Sequence, residues 1–357
     1  MNNFPLPAPV PILSFFLYIA FFIHLILVNL VLGSSLLIGI YLIKGKEKHF
    51  AIAKPMAQRL PYFMAFLIPF GVAPLLFIQA LYPSLFYNSL INFSLPLFVV
   101  LFLVLLSYIL LYVGTKKWEE IKSYKSILYF TVALSLSFVM FVFNNIFCFM
   151  EEAGDNPSLY LNSKYGFDFY YSSPTLMPRF LHLFFASIAL SGLWVAVWGV
   201  MKLQKEPEQG RWQYRSGATY FSSSTILVIV TGLWWLMVLP HDTMKIVMGK
   251  EIVYTILFAF LIISSFLAFV FALLGMNSVK PSLFLRITSF LTAINIFAMI
   301  VLRDGFRKNQ LKSFYDISKI DVNFQWIPFS IFIFFICLAV FVVFNTLKKI
   351  YNNTKRK

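Results

Sequence analysis

Nine apolar runs divide the chain, at about 10–43, 60–82, 94–114, 127–149, 176–201, 218–240, 252–276, 283–302 and 326–347. A helix needs roughly 20 apolar residues to cross a hydrocarbon core about 30 Å thick, and each run reaches that length. In lipid, backbone N–H and C=O groups are satisfied only inside a helix or a closed barrel. A barrel would show alternating segments of about ten residues, and the sequence has none. The expected fold is all-α: a polytopic transmembrane helical bundle of about nine spans, forming one integral membrane domain over residues 1–357. Composition agrees, because 60% of the residues are apolar and only 12% are charged, too few to solvate a soluble domain of this length. The first apolar run is longer than a signal-peptide core and has no basic segment before it, so it reads as a retained helix.

The net charge is +15, and the cations sit between the runs. Lys44, Lys46, Lys48, Lys54 and Arg59 fill the first loop; Lys116, Lys117, Lys122 and Lys125 the third; Lys202, Lys205, Arg211 and Arg215 the fifth; Lys280 and Arg286 the seventh. With Lys348, Lys349 and the final Lys355-Arg356-Lys357, these hold 20 of the 29 Lys and Arg. By the positive-inside rule they face the cytoplasm, so the N-terminus is outside and the C-terminus inside. Segment 150–175, with Glu151, Glu152, Asp155 and Asp168, then lies outside, as does 303–325, whose five basic residues are the main exception. Cations arranged this way imply anionic lipid as the partner, not nucleic acid. On this topology His49 is a solvated residue of an inner loop and His241 is outside.

Ionisable groups at membrane depth are costly and mark functional candidates. His24 precedes Lys44 by 20 residues, and His182 precedes Lys202 by 20. Both imidazoles therefore sit roughly 30 Å from the inner face, at one depth near the outer edge of the hydrocarbon. Neutral imidazole is a common axial ligand of haem iron, and a helix bundle can hold the macrocycle between its helices. A lone histidine can equally bond a neighbouring carbonyl. Arg179 lies one turn outward of His182, about 4–5 Å along the helix; it suits a haem propionate or an interfacial anchor. Asn29, Gln79, Asn144, Asn145 and Asn295 read as interhelical hydrogen-bonding groups. Trp234 and Trp235 read as packing or lipid contact. Met237, Met244 and Met248 are candidates for a sixth iron ligand. No carboxylate falls in the middle of a run, which argues against a proton-pumping relay. Cys148 and Cys337 form neither CxxC nor CxxCH, so covalent haem attachment is not encoded.

At these residues the sequence resembles subunit I of the cytochrome bd quinol oxidase superfamily. The family's first helix carries a haem-ligating histidine followed by an H-x-x-x-x-P-L-x-L-G-like pattern. Here that stretch is His24-Leu-Ile-Leu-Val-Asn29-Leu-Val-Leu-Gly33, with Asn in place of Pro. The family's G-V-A motif appears as Gly71-Val72-Ala73, with Gln79 where an acid would follow, and its fifth-helix x-F-x-H motif as Arg179-Phe180-Leu181-His182. The match covers residues 10–202, with 203–357 divergent. It implies b-type haem iron held by His182 and His24, with Arg179 beside the cofactor; His241, Met244, Met248 and Gln79 stand as further site candidates. Run 94–114 lacks the family's acids, and the outer loop between the sixth and seventh helices shrinks to His241–Glu251. The family's methionine ligand in the seventh helix has no clear match in 252–275. These departures count against haem d and against a complete oxygen-reducing centre.

The expected function is a membrane electron-transfer subunit of a respiratory complex, binding one or more haem b. It would sit in a bacterial or archaeal cell membrane with a second membrane subunit or a cytochrome c-type partner. Electrons would pass between quinol and an outer-side partner or oxygen, which makes a quinol-oxidising oxidoreductase or a divergent terminal oxidase subunit the enzymatic candidate. The alternative is a haem-free transporter or assembly subunit, for which Pro69 and Pro74 offer a break in the second helix.

Overall fold

The structure, a computed structural model, describes residues 5–121, 124–153, 166 and 169–355. Lys122, Asp155, Asp168, Arg356 and Lys357 lie outside the described residues. The described chain forms eleven α-helices: α1 (Val10–Lys44), α2 (Glu47–Leu81), α3 (Pro83–Asn92), α4 (Ser94–Lys116), α5 (Lys125–Glu152), α6 (Leu176–Lys202), α7 (Pro207–Val238), α8 (His241–Lys245), α9 (Ile252–Asn277), α10 (Pro281–Leu311) and α11 (Trp326–Lys355). Eight of these (α1, α2, α4, α5, α6, α7, α9 and α10) are long and apolar enough to cross a membrane. In α11 the described apolar stretch is shorter, Trp326–Ala339. The protein is thus an all-α, multi-pass bundle.

Several helices outrun their apolar runs. Helix α2 begins at Glu47 rather than near residue 60, and α7 at Pro207 rather than near 218. The added turns carry Lys48, Lys54, Arg59, Arg211 and Arg215, whose long stems reach water from a helix that continues past the hydrocarbon. His49 is consequently not a solvated loop residue. It is 7% exposed in the first turns of α2, stacked on Tyr41 and edge-on to Trp212. Helix α10 likewise runs to Leu311, so Arg303, Arg307 and Lys308 are helical rather than part of an outer loop.

Proline is accommodated in two ways. Pro83, Pro207 and Pro281 stand in the first turn of their helices, where no intrahelical N–H bond is lost. Pro55, Pro61, Pro69 and Pro74 lie inside α2, yet α2 continues as one helix to Leu81. The expected break in the second helix is therefore absent.

The helices pair as antiparallel hairpins. The turn from α1 to α2 needs a left-handed residue, supplied by Gly45 at φ 65°, whose N–H caps the Tyr41 carbonyl. Helices α6 and α7 pack through glycines at a seven-residue spacing. A Cβ on Gly192 would meet the Gly217 carbonyl oxygen at 2.8 Å, and one on Gly199 would meet that of Gly210 at 2.8 Å. Without a hydrophobic driving force in lipid, close backbone approach of this kind supplies much of the helix association. At the end opposite the lysine-rich turns, the N-terminal segment is tied down. Leu6 N–H donates to the Asp321 carbonyl at 2.8 Å, and Asn323 N–H donates to that of Leu6 at 2.9 Å.

Gly192→Leu places a branched side chain against backbone on α7. Overpacking typically costs about 1–3 kcal/mol. The expected outcome is a lower unfolding midpoint in detergent by scanning fluorimetry, with lipid-facing Leu134→Ala as the unaffected control.

Candidate functional site

Helices α1 and α6 run side by side in the same direction. The Ser34 hydroxyl donates to Ser191 Oγ at 3.1 Å, and Ser191 Oγ donates to the Asn29 carbonyl at 3.2 Å. A Cβ on Gly33 would approach Ser191 Oγ at 2.6 Å, so glycine is what lets the helices meet here. Gly33 and Ser191 are 158 positions apart, as are His24 and His182. Parallel helices share one rise per residue, so this register carries both imidazoles at one level.

Each imidazole lines its own apolar cavity, one on either flank of the α1–α6 contact. The His24 cavity, about 300 Å³, lies among α1, α2, α4, α5 and the C-terminal half of α10, with Met64, Leu67, Val100, Val104, Phe143, Asn144 and Arg303 in its wall. The His182 cavity, about 210 Å³, lies among α6, α7, α9 and α10, with Phe221, Val228, Trp235, Phe258, Asn295 and Met299. Leu25, Asn29 and Leu183 belong to both walls. Each ring also rests against a glycine of the neighbouring helix. A Cβ on Gly71 would meet His24 Cε1 at 2.9 Å, and one on Gly232 would meet His182 Cε1 at 3.2 Å.

The two rings differ in their hydrogen bonds. His182 Nδ1 lies 3.0 Å from the Val228 carbonyl oxygen. A carbonyl only accepts, so Nδ1 carries the proton and the Nε2 lone pair is left for another partner. His24 reaches only the Leu67 backbone, and its Nδ1 makes no hydrogen bond of good geometry.

Beyond this layer, toward the end opposite the lysine-rich turns, is a cluster of buried charges. Glu151, at the end of α5, takes Arg179 Nη1 on Oε2 at 2.5 Å and Arg307 Nε on Oε1 at 3.0 Å. Asp304 accepts from the Tyr18 hydroxyl at 2.5 Å and from Lys308 Nζ at 2.7 Å, and lies 3.7 Å from Arg307. Arg179 also stacks over Trp235 at 5.0 Å. Arg179 therefore faces Glu151 and Trp235 and lines neither cavity.

The remaining candidates lie elsewhere. His241 is exposed at the start of α8, and Met248 is 57% exposed in the kinked π-turn Ile246–Lys250. Met244 packs with Trp235 and Leu239 outside both cavities. Gln79 donates to the Tyr87 hydroxyl at 2.5 Å. Sequence reasoning passed over Met299, which lines the His182 cavity, and the charges of α10. Their spacing was the available signal, since 303, 304, 307 and 308 recur with the helical period beyond the last apolar residue.

No protein-family model matches the chain, and no curated protein matches it. Among solved structures it is similar to the bd oxidase from Geobacillus thermodenitrificans, with a TM-score of 0.74 at 14% identity. The match covers 95% of this chain and 97% of that one. The chain therefore has a bd-oxidase-like fold. That likeness extends past residue 202, where the sequence resemblance fades.

Glu151→Gln would leave two buried arginines without their shared carboxylate. Breaking a buried pair costs about 3–5 kcal/mol. A large fall in the unfolding midpoint is expected by scanning fluorimetry, whereas Glu120→Gln, in an exposed pair with Lys117, should leave it in place.

Proposed function

We propose that this chain is a b-type haem-binding electron-transfer subunit of a membrane respiratory complex, comparable to subunit I of a bd oxidase. The observation that carries the reading is the pair of level, half-buried imidazoles, each opening on an apolar cavity within a bd-oxidase-like fold.

The residues fit the group. His182 has its Nδ1 proton committed to the Val228 carbonyl, the arrangement that orients an imidazole for metal ligation through Nε2. Gly232 and Gly71 keep the rings clear of side chains that would crowd them. His182 would hold one haem iron, with Met299 as the methionine in the same wall, and His24 would hold a second. Haem supplies reversible one-electron transfer when bound. The chain would contribute the two imidazoles, a wall of aliphatic and aromatic side chains, and the charges at its edge. Burial in such a wall is one of the means by which a protein sets a haem potential.

Electrons would enter from a quinol and leave to an outer-side partner, a second membrane subunit or oxygen. From α4 the His24 cavity receives Val100, Leu101 and Val104, none of which carries protons. That favours electron relay over oxygen reduction, and haem b over haem d. The N-terminus outside, a bacterial or archaeal cell membrane and contacts with anionic lipid belong to the same reading.

The test is a reduced-minus-oxidised spectrum of the protein purified with its native partners, compared with His24→Ala and His182→Ala. Sharp b-type bands are expected in the parent, with each variant losing about half the extractable pigment. Full absorbance in both variants would overturn the ligand assignments. A featureless spectrum from well-folded protein of haem-replete cells would overturn the haem reading itself.

A further inference from the structure

The charge cluster at the outer edge of the bundle does not balance. Arg179, Arg303 and Arg307 share two buried carboxylates, Glu151 and Asp304, and these five are at most 8% exposed; Glu152, half-buried, adds its charge beside Arg179 only. Lys308 adds another cation at the margin. Glu151 gives one oxygen to Arg179 and the other to Arg307. Asp304 is occupied by Tyr18 and Lys308 and lies near Arg307. Asp304 Oδ1 makes no hydrogen bond and lines the same small void as Arg303, yet neither carboxylate comes within ion-pair distance of Arg303. Among the described residues its guanidinium makes no ion pair or hydrogen bond, and its Nε is sealed without a partner.

A buried arginine without a counter-charge is strongly unfavourable, so its retention points to a partner that arrives from outside the chain. Its position says where. Arg303 sits between the rings of Phe21 and Phe147, at 5.7 and 5.4 Å from their centroids, and lines the cavity that His24 lines. The other polar side chains in that wall are Asn29 and Asn144, and Asn144 already donates to the Met140 carbonyl. The cavity is therefore an apolar slot with one imidazole and one uncompensated cation.

We infer that Arg303 is the charge partner of a carboxylate-bearing group lodged beside His24. On the reading above, this is the anionic edge of the haem in that cavity, and the inference rests on that reading. The pairing expected of Arg179 passes to Arg303, because Arg179 is held by Glu151. A guanidinium suits this task, since its fixed fork of donors binds carboxylates and it cannot lose its charge.

The test uses the intact complex with Arg303→Gln and Arg303→Lys. Removing a cation beside a haem favours the oxidised iron. In Arg303→Gln the haem component that His24→Ala abolishes should shift its reduced-to-oxidised ratio at fixed potential at least tenfold toward oxidised, or about 59 mV for one electron. Arg303→Lys should restore most of the ratio, and the component belonging to His182 should hold its value. A second measurement reads stability. In haem-depleted protein Arg303→Gln should unfold at a higher temperature than the parent, because a lone buried charge is gone. In the loaded protein the order should reverse. An unmoved ratio, an equal shift of both components, or the same order of stability with and without pigment would each overturn the pairing. If pigment is present and the ratio does not move, the pairing fails and the haem reading stands. If the parent itself has no pigment, both fail.

Discussion

The end of the bundle opposite the lysine-rich turns depends on one carboxylate that has lost its water. Glu151 is 3% exposed, and its two oxygens bind arginines from two other helices, Arg179 of α6 and Arg307 of α10. It thereby joins the successive helices α5 and α6 to α10, with Arg307 lying 156 positions beyond Glu151 in the chain. Desolvating three charges is costly, and their mutual attraction recovers that cost only when the geometry satisfies every acceptor. Here both carboxylate oxygens are used. Asp304 extends the clamp to α1 through Tyr18. Loss of any one member would leave another buried and uncompensated, which makes the cluster a unit rather than a set of separate pairs.

Deeper in the bundle the packing is of another kind. Glycine and serine let α6 lie close to both α1 and α7, with Gly33 against Ser187 and Ser191 and with Gly192 and Gly199 against α7. Contacts this close in the middle of a bundle pull the flanking helices inward only along one seam. The larger side chains on either flank do not close up to the same extent, and a cavity remains on each side of α1 and α6. The small residues and the two cavities are thus consequences of one arrangement. The histidines, one on each helix of that seam, are placed where both flanks can be reached.

Much of this was legible from residue type and spacing. Long apolar runs fixed the helical class and eight of the spans, and the equal distance of His24 and His182 from a terminal lysine carried through to the register of α1 against α6. What hydropathy could not register was charge that lies inside the protein. Arg303, Asp304, Arg307 and Lys308 follow the last apolar residue of their run, so they read as an outer loop and as exceptions to the positive-inside rule. They are helical, and Arg303, Asp304 and Arg307 belong to the buried cluster with Lys308 at its margin. Glu151 read as a loop acid for the same reason. His49 was misjudged because a window that averages over lysines cannot sense stacking on Tyr41 and Trp212. Met299 was invisible because which methionine faces a cavity is decided by how α10 rotates against α6 and α9, a tertiary fact.

The wall between the cavities has a consequence for the proposed electron transfer. Leu25, Asn29 and Leu183 line both spaces, so a single layer of side chains divides them. Two haems in these cavities would be near neighbours at one depth, and electrons would move along the membrane plane between them rather than across the bilayer. The cavities would not be equivalent. The His24 cavity carries the uncompensated Arg303, whereas the wall around His182 has only uncharged groups beside the histidine: Asn29, Asn295, Thr225, Ser265 and Thr292. A fixed cation favours the reduced iron, so the His24 side would hold the electron at the higher potential. The gradient would run from His182 to His24 and would be set by one arginine that the protein's own carboxylates leave unpaired.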